Sequence, residues 1–145
     1  MNELKIGNIK LSTKSRPVFV AEISANHKQS ISVAKKLLNA AKKSGADFVK
    51  LQLYEPSDMT LNIKNKDFII KDPKSPWYKK SLFKLYEKSC TKKPLFLKIF
   101  NYAKSINLKC FTSVFDVNSV DFLEKLNVPA YKISSFEINH IPLIK

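Results

Sequence analysis

The stretch PVFVAEISANHKQSISVAKKLLNAAKKSGADFVKLQL, residues 17–53, carries three element signals in succession. VFVAEI is a short run of β-formers, Ser30 stands where an N-cap is needed before ISVAKKLLNAAKKS, and Gly45 stops that helix before DFVKLQL begins. The order is strand, helix, strand: one βαβ unit. A side-chain period of two puts Val18, Val20 and Glu22 on one face of the first strand, and Phe48, Lys50 and Gln52 on one face of the second. Charged residues thus end two otherwise apolar strands, at the carboxyl end where a parallel α/β sheet collects its chemistry.

Outward from this unit the same alternation continues. Within the helix, Ile31, Ala34, Leu37, Leu38 and Ala41 form one stripe, while Lys35, Lys36, Lys42 and Lys43 face water. Downstream, Pro94 opens the helix PLFLKIFNYAKSIN, LKCFTSVFD reads as a strand, VNSVDFLEKLN as a helix started near Asp116 or Asn118, and VPAYKISS as another strand. FEINHIPLIK leads into a last helix. Parallel strands are expected near 18–23, 47–53, 109–114 and 130–134, joined by right-handed crossovers. Upstream, ELKIGNIKLS forms a small hairpin turning at Gly7 and Asn8, a lid or packing piece. Between Tyr54 and Lys93 the periodicity lapses, with Pro56, Pro73 and Pro76, a short strand at DFIIK and a helical patch at SLFKLYEKS. So long an insertion after the Lys50 strand reads as a functional flap.

Four parallel strands with their helices are the N-terminal half of an eight-stranded (β/α)₈ barrel, an α/β fold. The competing fold, a complete small doubly wound domain, wants a glycine-rich phosphate loop, and the chain has only Gly7 and Gly45. At 145 residues a single domain is the expectation. The 26 Lys and Arg against 12 Asp and Glu give a formal charge of +14, yet the lysines are scattered and the sole arginine is Arg16, which argues against a nucleic-acid surface. Codon bias of an AT-rich genome, which favours Lys, Asn and Ile, would explain the excess without any ligand. Cys90 and Cys110 lack metal spacing and suit a reducing compartment. No apolar run reaches the roughly 18 residues of a membrane span, and MNELKIGNIKL has an early acid and no signal core, so a cytoplasmic protein without membrane contact is expected.

AEISANH, GADFVKLQLYEPSDMT, CFTSVFD and VPAYKISSFEINHIPLI, four separated motifs over residues 16–145, together resemble the sialic acid synthase family, in particular its pseudaminic acid synthase branch. The resemblance implies a (β/α)₈ barrel followed by a small antifreeze-like domain. On that reading residues 1–145 are a partial barrel domain, with 54–93 as its flap-like insertion and the rest of the barrel and the antifreeze-like domain outside it. It implies condensation of phosphoenolpyruvate with an N-acylated amino sugar to a nine-carbon 2-keto acid, with release of phosphate, in an enzyme that is a homodimer at full length.

Glu22, Lys50, Thr112, Lys132 and Ser134 fall at or near the carboxyl ends of the four strands, where side chains converge across a barrel mouth. Two ammonium groups suit the phosphate and carboxylate of phosphoenolpyruvate, and hydroxyls complete an anion shell. The resemblance assigns Lys50, Thr112, Lys132 and Ser134 to the donor with Gln52 and Ser135 close by, Glu22 to the sugar side, and Glu137 as a second acid. Asn26 and His27 follow the first strand, placed for substrate contact, although an Asn-His pair there is more often a loop hydrogen-bonding group. The family's divalent metal, manganese or magnesium, polarises the sugar aldehyde. Neither His27 nor His140 matches its ligand motifs, so the ligands are expected outside this chain and no metal ligand is assigned within it.

Val114 stands where the family usually has proline, and Gln29 where it often has glycine. With half the barrel outside the chain, no synthase activity is expected of the chain alone. A non-catalytic half-barrel binding or structural module, from a truncated gene, is the alternative, and an aldolase-type barrel enzyme a further one.

Overall fold

Ser30 adopts extended backbone and its hydroxyl accepts from the Val33 N–H, which starts helix α1, Ile31–Lys43. A computed structural model describes residues 4–145. In it α1 lies between strands β3, Val20–Glu22, and β4, Phe48–Gln52, as the sequence spacing predicts. The hairpin strands β1, Leu4–Ile6, and β2, Ile9–Leu11, precede them and pair antiparallel around Gly7, whose φ of +57° suits the turn. An added Gly7 Cβ would lie 4.0 Å from Lys109 and Pro129, so the hairpin packs near the amino-terminal ends of the later strands, away from their carboxyl ends.

Strands β5, Lys109–Val114, and β6, Tyr131–Ile133, complete one four-stranded parallel sheet in the order β3-β4-β5-β6. Glu22 pairs with Lys50, Lys50 with Phe111, Gln52 with Ser113 and Ser113 with Lys132. This is the half barrel, with four strands in chain order. Its crossovers are α1, helix α4, Lys93–Ser105, after β4 and the flap, and α5, Val117–Glu124, after β5. Each helix ends on a left-handed residue just before its strand: Gly45 (φ +79°), Asn107 (+52°) and Asn127 (+53°). At Gly45 and Asn107 the closing bonds run as a pair, Gly45 N–H to Lys42 O with Ala46 N–H to Ala41 O, and Asn107 N–H to Lys104 O with Leu108 N–H to Ala103 O.

The core fills the helix-facing side of the sheet. Ala34, Leu38 and Ala41 of α1 meet Val49, Leu51 and Leu53 from β4 and its end, Phe96, Ile99 and Ala103 of α4, Cys110 and Val114 of β5, and Leu123 of α5. Burial of Cys110 pushes its thiol up to about 12, which keeps it inert at neutral pH. At the amino-terminal rim, Arg16 forms a two-pronged ion pair with Asp47, whose carboxylate also accepts from the Phe19 N–H at 2.9 Å.

The flap is ordered by its own small core. Helices α2, Pro56–Met59, and α3, Leu82–Ser89, flank a 3-10 turn at Lys66–Phe68. Tyr54 stands edge-on to Phe115 (5.5 Å) and Tyr86 (5.9 Å), and its hydroxyl lies 2.9 Å from the Ser89 hydroxyl. The strand expected at DFIIK does not form. The Asn65 side chain accepts from the Asp67 N–H and turns the chain there, leaving one antiparallel bridge between Ile69 and Ser81. The predicted helix at SLFKLYEKS is present as α3. A 3-10 turn, Ser135–Glu137, and a short helix α6, Ile141–Ile144, close the chain.

Candidate active site

The pairing fixes which side chains share the face opposite the helices. Along β4, Val49 and Leu51 point into the core, so Phe48, Lys50 and Gln52 point the other way. Their registered partners share that face: Glu22 on β3, Lys109, Phe111 and Ser113 on β5, and Lys132 on β6. At its amino-terminal end the face is apolar, with Phe48 and Phe111 edge-on at 5.9 Å. At its carboxyl end it is polar.

Lys50 sits at the centre of that polar end. Its Nζ is ion-paired with Glu22 Oε2 and donates to Ser113 Oγ at 3.3 Å. The second Glu22 oxygen accepts from the Ser24 hydroxyl at 2.8 Å and the Ser24 N–H at 3.1 Å. Both carboxylate oxygens therefore have fixed partners, one on its own loop and one on the next strand. The Lys50 side chain is 15% exposed and that of Glu22 46%, so the lysine is the desolvated member. Lys132 is exposed and donates to Ser134 Oγ at 3.1 Å. Ser135 and Glu137 belong to the 3-10 turn just beyond; Glu137 Oε2 is buried without a hydrogen-bond partner.

Two of the expected site residues stand elsewhere. Thr112 alternates with Cys110 and Val114, pairs with core-facing Leu51, is fully buried, and donates its hydroxyl to the Ser113 carbonyl at 3.0 Å. The hydroxyl beside Lys50 belongs to Ser113, one residue on. The signal was present in the sequence: in CFTSV the apolar residues Cys110 and Val114 share a period of two with Thr112, which marks that parity as the core side. His27 is also fully buried, with Nδ1 accepting from the Gln29 N–H at 3.1 Å and Nε2 2.8 Å from Thr91 Oγ1. It offers no free nitrogen to a substrate, and its burial lowers its pKa. Asn26 is exposed on the same loop, and Gln52 is half-buried on the Lys50 face. Ser24, the other polar group at the cluster, carried no signal beyond its spacing from Glu22.

A second carboxylate grouping, Asp58 with Asp116, lies in the segments that follow β4 and β5. Asp116 caps α5 through the Ser119 N–H, Asp58 accepts from the Glu55 N–H at 2.7 Å, and burial together with the nearby Asp116 raises the Asp58 carboxyl. Among the described residues no three His, Cys, Asp or Glu side chains are grouped to hold a metal ion. The described residues thus do not by themselves make a site for the divalent metal that the family resemblance implies. No helix among the described residues is long and apolar enough to cross a membrane.

Comparison with known proteins agrees with the architecture. The sequence pattern of the NeuB family matches residues 37–145. Pseudaminic acid synthase of Helicobacter pylori is 47% identical over 129 residues, 89% of this chain and 37% of the relative. Pseudaminic acid synthase of Campylobacter jejuni is 42% identical over 136 residues, 94% of this chain and 38% of the relative. The solved N-acetylneuraminic acid synthetase of Leptospira borgpetersenii, in complex with citrate, superposes with a TM-score of 0.78 at 26% identity, covering 99% of this chain and 45% of that one. The chain therefore spans little more than a third of the length of these curated relatives. With four parallel strands in chain order and a family pattern running over most of its length, the chain belongs to the NeuB family.

Proposed function

We propose that this chain supplies the donor-holding half of a synthase that adds phosphoenolpyruvate to an N-acylated amino sugar of the pseudaminic type. The observation that carries the reading is the strand-end cluster: Lys50 held between Glu22 and Ser113, and Lys132 with Ser134 on the neighbouring strand. Phosphoenolpyruvate presents a phosphate and a carboxylate on a three-carbon frame, and two ammonium groups with two hydroxyls match that pair of anions. Lys50 is the stronger holder because it is desolvated; exposed Lys132 contributes less. Gln52, Ser135 and Asn26 complete the polar rim, and Thr112 serves from behind by bonding the Ser113 carbonyl.

The reaction forms a bond from C3 of phosphoenolpyruvate to the sugar aldehyde carbon. The C2–C3 π electrons supply it while the aldehyde C=O π pair moves to oxygen, which takes up a proton; water adds at C2 with loss of one proton, and the resulting tetrahedral centre gives up its hydroxyl proton as the C–O bond to phosphate breaks, leaving the C2 ketone. The proton movements are assigned to Glu22, supported by its ion pair with Lys50 and its bonds from Ser24. When the donor anion takes Lys50 as its partner, Oε2 of Glu22 is released while Oε1 stays anchored by Ser24. Glu137 is a second acid beyond Ser134. Fixed cations next to the departing phosphate stabilise charge as it develops.

Calorimetry tests this. Lys50→Met should lose about tenfold or more in phosphoenolpyruvate affinity and Lys132→Met a smaller factor, since a hydrogen bond to a charged group contributes about 1.5–3 kcal/mol when shielded and less when exposed. Glu22→Gln, which removes the carboxylate competing for the Lys50 ammonium, should keep donor affinity or raise it. Parent-like donor affinity in Lys50→Met, or absence of any saturable donor binding by the parent, overturns the assignment.

A further inference from the structure

The loop from Ser24 to Gln29 holds three non-glycine residues in left-handed backbone, Ser24 (φ +46°), Lys28 (+49°) and Gln29 (+54°). Each costs on the order of 1 kcal/mol or more, so neighbouring contacts must hold the loop. The buried ring inside it is His27. Its Nδ1 receives the Gln29 N–H, so the ring proton lies on Nε2 and is donated to Thr91 Oγ1. Thr91 is itself buried and stands at the far end of the flap, 64 residues away. Gln29 makes the same connection from outside, its amide donating to the carbonyls of Glu87 at 2.9 Å and Cys90 at 3.3 Å. The start of this loop is Ser24, which fixes Glu22.

We propose that His27 is a positioning residue, a latch that uses one ring nitrogen to hold the loop that follows Glu22 and the other to dock the carboxyl end of the flap against it. The two sides of the ring have separate duties. Nδ1 faces the backbone of its own loop and keeps Gln29 in its left-handed conformation. Nε2 faces Thr91 and ties the stretch that follows α3 to the β3–α1 connection. A group that merely filled space here would need neither nitrogen. The proposal concerns the coupling of two segments of this chain and holds whichever substrate the cluster takes.

The test uses the 145-residue chain itself. An asparagine side chain reproduces the Nδ1 position, a glutamine the Nε2 position, and Thr91→Val removes only the hydroxyl with little change of shape. Limited trypsin digestion reads the open population of the flap at Lys64–Lys80, and amide hydrogen exchange reads the loop at Gln29. His27→Asn and Thr91→Val should raise flap cleavage about three- to tenfold while Gln29 stays protected, the effect of one buried hydrogen bond. His27→Gln should do the reverse, exposing the Gln29 amide to exchange with flap cleavage near the parent rate. Parent-like flap cleavage in Thr91→Val, or Gln29 exchange and flap cleavage rising together in all three variants, overturns the latch. Loss of phosphoenolpyruvate binding by the parent would defeat the synthase reading and leave these measurements untouched.

Discussion

With its side chain 15% exposed, the Lys50 ammonium draws on Glu22 from one neighbouring strand and Ser113 from the other, so a hydroxyl on β5 competes with a carboxylate on β3 for the same three protons. Removing the hydroxyl should leave the lysine closer to Glu22 and less available to an incoming anion. Ser113→Ala is therefore expected to weaken phosphoenolpyruvate binding about three- to tenfold, the value of one hydrogen bond to a charged group's shell. Thr112→Val, one residue away, should leave affinity within about twofold and cost about 1 kcal/mol in urea unfolding, since its hydroxyl serves a backbone carbonyl on the core side. Calorimetry and urea titration of both variants distinguish the two faces. A different residue contributes to the acid limb of stability. Hydrogen bonding by Arg16, and then by the Phe19 N–H, holds the Asp47 carboxyl down at about 2, below its ordinary 3.8. The folded value lies below the unfolded one, so the contribution is full above pH about 4 and is lost as pH falls toward 2. Arg16→Gln should flatten the fall in thermal midpoint over that interval, measured by circular dichroism.

At the scale of elements, the parallel strands were readable because each combines β-forming residues with a helix of clear stripe before or after it. Helix α1 shows how far the reading extends: the cap at Ser30, the buried stripe at Ala34, Leu38 and Ala41, and the stop at Gly45 all follow from residue type. The stops at Asn107 and Asn127 are the same device with a weaker letter, since asparagine tolerates left-handed backbone but also serves in many other places. Residues whose placement depends on partners far along the chain were less legible. Thr112 and Ser113 differ by one position of register, which reverses the face, and His27 depends on Thr91 beyond the whole flap. DFIIK has strand-forming letters but follows Asn65, whose side chain captures the Asp67 N–H and turns the chain before a ladder can form. These element-level causes have measurable sizes. Leu38→Ala should cost about 2–5 kcal/mol and Ser30→Ala about 1 kcal/mol in urea unfolding. Gly45→Ala should cost about 1–2 kcal/mol by backbone strain alone, because nothing lies within 4 Å of the added methyl.

At the scale of the whole sheet, β3 and β6 are edges with no further strand among the described residues, and apolar groups stand exposed beside them: Val20 is 44% exposed, Phe19 62% and Phe136 92%. Unpaired backbone donors and acceptors flanked by apolar side chains favour strand addition by a second chain. The formal charge of +14 opposes it, because every copy repels every other. The two effects differ in how they respond to salt. Apolar burial and strand pairing are short-ranged, whereas the repulsion is screened over a Debye length of about 10 Å at 0.1 M salt and about 3 Å at 1 M. The chain should therefore be largely monomeric at low salt and low concentration, and should self-associate as salt rises from about 0.02 to 0.5 M. Light scattering coupled to size exclusion reads this directly. Val20→Lys, which puts a charge on a half-exposed position of edge strand β3, should shift association to higher protein concentration without lowering the free energy of unfolding by more than about 0.5 kcal/mol. Association that weakens with salt, or that is indifferent to Val20→Lys, would place the contact elsewhere than the open edge of the half barrel. Under the proposed function this chain holds the donor only, and association of like chains adds no new kind of group to the Lys50 cluster. The purified chain, supplied with phosphoenolpyruvate, an N-acylated amino sugar and manganese, is accordingly expected to release no phosphate above background, and measured formation of a 2-keto sugar acid would show that the half barrel is catalytically sufficient.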